Sequence, residues 1–289
     1  MILERVNGYL ILDNMKVSQK IKRNTGGEIL KFFSGGELYF KECPLPVLLA
    51  HLFCEQIFRS LNIPVVHFDS AKYQGKTGVV STSYNPNHYK EIPLKTILDK
   101  YYLEVVLKHK HKSYIKNSYN LYNLEDIERA LLYFYKNEQN FSEIVSSLMQ
   151  QITTLFFSQF LSGDNDMHYM NLVILQGENP YVAPYFDFDH SFYLQYFSNR
   201  TVVALEKEGH DEKIKRYPID VLKDMLPLYL DILKEMLQVL PSKEEVLNSM
   251  EKSLGISLHP NLVRHICYDT YLSSINELVI SYEKEVLKK

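Results

Sequence analysis

The stretch GDNDMHYMNLVIL, Gly163 to Leu175, sets two acids, a histidine and two asparagines before an apolar run, and Asp187, Asp189 and His190 follow in DFDH. A charged group taken out of water is costly unless it is paired, so a fold built around this region must supply cations, donors or a metal ion. NLVIL and YVAPYFDFD read as two strands of a hairpin turning through QGENP, with Asp187 just past the second strand. Asp166 precedes Asn171 by five residues, a loop length that lets both side chains face one cleft. Phosphoryl transfer from ATP needs such a set: one carboxylate to orient the attacking hydroxyl, another with an amide to hold magnesium, and a lysine for the phosphates. The D-x-x-x-x-N spacing also occurs in the kinase catalytic loop, and magnesium favours hard oxygen ligands of this kind.

The rest of the chain has a matching layout. GYLIL, EILKFF, ELYFKE, PVVHFDSAKY and TGVVSTS, all within the first 85 residues or so, are short and rich in β-branched and aromatic residues. SGGE (34–37) and QGK (74–76) mark hairpin turns between them. One helix is expected from about Pro46 to Leu61, with apolar residues on a helical period and proline in its first turn. After the polar, proline-bearing connector at 83–93 the pattern turns helical, with Asn123 as an N-cap for LEDIERALLYFYK and a longer helix in SEIVSSLMQQITTLFFSQFL. Beyond about Ile219 it is helical again. The expected fold is α+β and bilobal, protein-kinase-like: a small β-rich N-lobe with one helix over residues 1–85, and a larger helical C-lobe over 86–289.

Composition excludes several alternatives. A net charge of -3 leaves no electrostatic footprint for nucleic acid, and the basic clusters at 108–112 and 213–216 are read as solvated faces. No window approaches eighteen uncharged apolar residues, so no membrane span is expected, and the first residues do not read as a signal peptide. The three cysteines show no CxxC spacing and suit a reducing compartment, so a cytoplasmic location is expected.

Upstream, NTGGE (24–28) lies between the strand-like KVSQKIK and EILKFF. Its glycines could bring backbone N–H groups to phosphate oxygens, or form a plain hairpin turn. Lys41 ends ELYFK, where a kinase carries its phosphate-pairing lysine; a solvated strand end is the other reading. The acids themselves admit further readings. Asp164 or Asn165 could cap a turn. Asp164, Asp166, His168, Asp187 and His190 could bridge two metals in a phosphoesterase, although such sites usually draw histidines from several distant loops. Asp189 and His190 are read as structural, with Asp189 a possible outer-shell acid.

GGELYFKE, HLFCEQIFRSLNIPVV, FLSGDNDMHYMNLVIL and APYFDFDHS together resemble the HipA-like serine/threonine kinases and related stand-alone bacterial kinases, over residues 20 to 195. The family's D-x-H-x-x-N loop is matched by Asp166, His168 and Asn171, and the A-P pair before its metal aspartate by Ala183, Pro184 and Asp187. The resemblance implies an ATP- and magnesium-dependent kinase acting on a protein serine or threonine, with Asp166 as catalytic base and Asn171 and Asp187 on magnesium. It also implies Lys41, with Thr25, Gly26 and Gly27, at the nucleotide, and a separate antitoxin or regulator protein as a partner. Autophosphorylation in the phosphate-binding loop regulates the family, which marks Thr25. A small-molecule kinase shares the layout, but its loop usually has histidine before the aspartate, whereas His168 follows Asp166. One departure stands out. The family's helix carries a glutamate eleven residues before a glycine; here Asn62 replaces the glycine and His51 the glutamate. Glu55, one turn later on nearly the same face, is the expected partner of Lys41. Absence of that pair would favour the alternative reading, a pseudokinase that binds nucleotide without turnover.

Overall fold

The computed structural model describes residues 4–22, 28–33, 36–60, 62–106, 124–162 and 171–189, with a few single positions between 242 and 284. Short strands alternating between apolar and polar side chains build a seven-stranded sheet: β1 (Arg5–Val6), β2 (Tyr9–Ile11), β3 (Val17–Lys22), β4 (Glu28–Phe33), β5 (Glu37–Glu42), β6 (Phe68–Tyr73) and β7 (Lys76–Thr82). Their order across the sheet is β1-β2-β6-β7-β5-β4-β3. All described pairings are antiparallel except β2 with β6. The β6–β7 turn falls on Gln74 and Gly75, with φ of 50° and 77°, the two positive values that a tight two-residue hairpin demands. One sheet face is closed by Leu12, Met15, Phe32, Phe40, Ala71 and Val80.

Helix α1 (Leu45–Ser60) covers the other face. Leu48, Leu49, Phe53, Cys54 and Phe58 are fully buried along it, within the core that also takes in Val79 of β7. It ends in a Schellman motif: Ile63 N–H donates to the Phe58 carbonyl at 2.8 Å and Asn62 N–H to that of Arg59 at 3.0 Å. Asn62 supplies the left-handed residue, φ 55°, that this cap requires. Asparagine tolerates that conformation better than other non-glycine residues, so the missing glycine of the family pattern costs the helix nothing essential.

The remaining elements are helical with a small second sheet. Helices α2 (Leu94–Tyr101, continued by a π-helical turn Tyr102–Val106), α3 (Leu124–Tyr135) and α4 (Phe141–Ser162) pack in sequence. Strands β8 (Lys90–Pro93), β9 (Val173–Gln176) and β10 (Tyr181–Val182) form a sheet in the order β10-β9-β8. The connector at 83–93 is therefore not all loop. Its last four residues are a strand, with Ile92 buried against Ile174, and polar neighbours masked that short signal in the sequence. PVVHFDSAKY is strand only from Phe68; Val65 makes a single parallel bridge to Tyr185. The turn of NTGGE, the N-cap Asn123 and the helices expected beyond Ile219 lie outside the described residues, apart from single positions of the last. Among the described residues, no helix is long and apolar enough to cross a membrane.

Candidate active site

The site forms where β5 meets the segment that leaves β10. Along β5, Phe40 enters the core on one sheet face, so Lys41 points to the opposite face, level with Val79 on the α1 side. The β9–β10 hairpin reverses the chain: Val182 pairs with Ile174, and Ala183 N–H donates to the Val173 carbonyl at 2.8 Å. Asn171, before β9, and the Asp187 segment, after β10, therefore leave from the same end of this hairpin. Two further backbone bonds stitch the outgoing segment to the approach to β6: Val66 N–H to the Tyr185 carbonyl at 3.1 Å and Tyr185 N–H to that of Pro64 at 3.0 Å.

Past Tyr185 the side chains alternate. Phe188 is fully buried, its ring edge-on to those of Phe58, Phe68 and Tyr185 at 5.0, 5.7 and 4.9 Å between centroids. With Phe188 anchored in the core, Asp187 and Asp189 both turn to Lys41. The Lys41 ammonium contacts Asp189 Oδ2 directly and lies 3.5 Å from Asp187 Oδ1. Asp189 is the more enclosed of the two acids, at 14% side-chain exposure against 29%. Its other oxygen, Oδ1, lies 3.5 Å from His51 Nε2. The Nδ1 of His51 donates to the Val47 carbonyl at 2.8 Å, one turn back along α1. Burial disfavours the charged imidazole and pushes its pKa down, with Asp189 opposing the shift.

Glu55 is not the partner of Lys41, contrary to the expectation from the helix pattern. Its Oε1 accepts from Arg59 Nε at 2.7 Å and lies 2.8 Å from His67 Nδ1, and its Oε2 accepts from Phe68 N–H at 2.8 Å. Burial pushes the carboxyl pKa up, but the hydrogen bonds from His67, the Phe68 amide and Arg59 outweigh it and hold the carboxylate below its usual range. The reason is rotational. One turn of α1 separates His51 from Glu55, yet His51 faces Lys41's acids while Glu55 faces the start of β6.

The structure thus brings together Lys41 and Asp187, places Asn171 at the same end of the hairpin, and removes Glu55 to β6. Asp166, His168, Thr25, Gly26 and Gly27 lie outside the described residues. Asp189, read from the sequence as structural or at most an outer-shell acid, and His51, read only as standing at the glutamate position, both belong to this cluster. A signal was available for Asp189: acids at alternate positions around one large apolar residue share a face wherever the chain runs extended.

The atoms of His51, Asp187 and Asp189 come within 4.8 Å of one another, close enough to share a cation. Asp187 Oδ1 is buried and accepts no hydrogen bond among the described residues. Lys41, 3.5 Å away, faces this oxygen with one positive charge, and the carboxylate oxygens of the two aspartates are hard donors of the kind that suits magnesium.

The sequence matches no family model and no curated protein. The fold superposes on that of the Helicobacter pylori proinflammatory kinase CtkA with a TM-score of 0.67, covering 97% of this chain and 99% of that one at 14% sequence identity. A weaker likeness is to a chain of the Shewanella oneidensis MR-1 HipA–HipB toxin–antitoxin complex with operator DNA: TM-score 0.39 and 12% identity, over 90% of this chain and 64% of that one. The chain accordingly shares the α+β fold of the Helicobacter pylori kinase, with Lys41 and the acids beyond the β9–β10 hairpin in contact inside it.

Proposed function

We propose that the protein is an ATP- and magnesium-dependent kinase of the HipA-like type that phosphorylates a serine or threonine of a protein. The observation that carries this reading is the contact of a strand-borne lysine, Lys41, with acids leaving a hairpin on the far side of the core, within a fold shared with a kinase. Phosphoryl transfer needs that convergence of one fixed cation and metal-binding oxygens. In the nucleotide-bound protein Lys41 turns its ammonium to the phosphate oxygens. Asp187 and Asn171 would hold magnesium, which would supply charge neutralisation at the phosphates, and Asp166 would accept the proton of the attacking hydroxyl. Thr25, Gly26 and Gly27 are the residues that the family resemblance would assign to the phosphates. A separate antitoxin or regulator protein completes the expected partners.

Titration calorimetry with ATP, with and without magnesium, tests the first half, and transfer of a labelled γ-phosphate tests the second. Asp166→Ala should lower transfer about 10²- to 10⁴-fold, the usual contribution of a general base, while ATP affinity is largely kept. Absence of any magnesium-dependent ATP binding would overturn the reading. A second reading, a pseudokinase that binds nucleotide without turnover, draws on the commitment of Glu55 to β6, which leaves α1 without a carboxylate for Lys41. Binding with no transfer to any hydroxyl selects it.

A further inference from the structure

Resting on the kinase reading, we infer that Asp189 is the positioning residue for Lys41, taking the place of a helix glutamate. Lys41 needs a fixed anion to aim its ammonium, since a lysine has four rotatable stem bonds and no preset geometry. The helix does not provide that anion. His51 occupies the glutamate position, and Glu55, the nearest acid on a similar face, is bound by His67, Arg59 and the Phe68 amide.

Among the described residues two acids remain, and they are not equivalent. Asp189 contacts the Lys41 ammonium directly and is the more enclosed; Asp187 stands off at 3.5 Å and is more exposed. A division of labour follows. Asp189 holds the lysine, while Asp187, farther from the ammonium and more exposed, is the acid assigned to the metal. Phe188 between them fixes both in the core, so the anion that positions Lys41 is covalently tied to the metal-binding aspartate. His51, with Nδ1 donating to Val47 and its ring packed edge-on against Phe68 at 4.9 Å, fills the α1 side of this site, its Nε2 3.5 Å from Asp189 Oδ1 without a proton to donate to it. Glu55 ties helix α1 to the start of β6 and, in this arrangement, offers no carboxylate to Lys41.

The test uses the full chain and four forms: wild type, Asp189→Asn, His51→Glu and the double variant His51→Glu/Asp189→Asn. A glutamate at position 51 extends toward the space that Asp189 shares with His51, so it can return a carboxylate to Lys41 from the helix side. Asp189→Asn is expected to lower kcat/KM for ATP about 10- to 100-fold, the loss that follows misplacement of a phosphate-binding group by about an ångström. The double variant is expected to recover most of that loss. A purely structural role for Asp189 predicts no such recovery, because adding an acid to the core does not repair packing. Equal activities of Asp189→Asn and wild type, or no rescue in the double variant, overturn the inference. If Asp189→Asn alone fails to fold, Lys41→Met and Lys41→Met/Asp189→Asn are compared by thermal unfolding. The double variant, with both charges removed, should melt higher than Lys41→Met; an equal or lower midpoint overturns the pairing. A wild type without ATP binding instead defeats the kinase reading, and this stability comparison still answers whether Lys41 and Asp189 are paired.

Discussion

Glu55 and His67 are joined at 2.8 Å, carboxylate oxygen to ring Nδ1, tying the middle of α1 to the residue that precedes β6. The same carboxylate takes the Phe68 amide at 2.8 Å, so it satisfies a buried backbone donor as well as a ring. Glu55→Gln keeps the shape and removes the charge. It should cost about 1–3 kcal/mol, the usual penalty for weakening a charge-assisted bond and leaving a buried donor poorly satisfied. Chemical denaturation at pH 6 measures it, and a loss below about 0.5 kcal/mol would show the clamp to be ornamental.

The pH dependence of this clamp has a definite sign. The hydrogen bond to Glu55 raises the His67 pKa above 6.5, so its contribution is fully present below 6.5 and is lost as pH rises through the raised folded value. The Glu55 pKa is lowered from 4.5, so its contribution is present above 4.5 and is lost as pH falls through the depressed folded value. Stability from the pair therefore peaks between the two ordinary values and declines on both sides. His67 is largely exposed, so the alkaline decline should be shallow and should shrink in added salt. Melting curves across this range should show both declines in the wild type and a flatter profile in Glu55→Gln.

Gly78 supports Lys41 from the neighbouring strand. A Cβ at this position would lie 2.2 Å from the Lys41 carbonyl oxygen, a backbone atom that cannot swing aside. Gly78→Ala must therefore push β7 off β5 next to the lysine. Destabilisation of about 1–3 kcal/mol is expected, the usual cost of overpacking, with weakened ATP binding beside it. Gly75→Ala, at φ 77° in the β6–β7 turn with open space around it, should strain only the turn. Unfolding midpoints and nucleotide affinity, measured side by side, separate the two.

The sequence was most legible where chemistry and periodicity coincide. The strand-like runs from GYLIL to TGVVSTS, α1 within one residue of its ends, and the β9–β10 hairpin before Asp187 could all be read from apolar spacing and turn residues. So could the strand position of Lys41. What could not be read was rotation and reach. Glu55 and His51 lie one turn apart, and helical spacing alone does not say that one faces β6 and the other Asp189. The partner that decides the matter for Glu55, His67, sits in a stretch whose sequence suggested continuous strand. Strand β8 was hidden for a different reason: four residues with a single fully apolar one carry too little alternation to stand out from a polar connector.

Asp187 and Lys41 should separate in their effects. Asp187→Asn keeps the volume and removes one of two acids near Lys41, so the fold should hold while magnesium-dependent ATP affinity falls tenfold or more, about 1.4 kcal/mol. Lys41→Met leaves both acids without their cation, and the more enclosed Asp189 then sits uncompensated; a loss of about 3–5 kcal/mol in stability is expected, by analogy with breaking a buried pair. Calorimetric titration of both variants, with and without magnesium, checks the first claim and denaturation the second. A Lys41→Met variant as stable as wild type would mean that the acids are better solvated than their exposure implies.

Phe188 offers the sharpest test of how packing sets the chemistry. It is fully buried, with His51, Phe58, Phe68 and Tyr185 around its ring, and its two sequence neighbours are the acids on Lys41. Phe188→Ala would remove about 3–5 kcal/mol and is too blunt an instrument. Phe188→Leu keeps an apolar side chain and should cost within about 0.5–3 kcal/mol, leaving a folded protein to assay. The smaller residue lets the backbone settle inward, and both carboxylates shift with it. An ångström at a phosphate or metal site is worth up to about 10²-fold in rate, so kcat/KM should fall far more than stability does. Phe32→Leu is the control: also fully buried, but on the opposite face of the sheet among Leu12, Met15 and Phe40. It should lower the melting midpoint by a similar amount and leave kcat/KM nearly unchanged. If the two leucine variants lose activity in equal proportion to their stability, the acids are not positioned by Phe188, and its role is core packing alone.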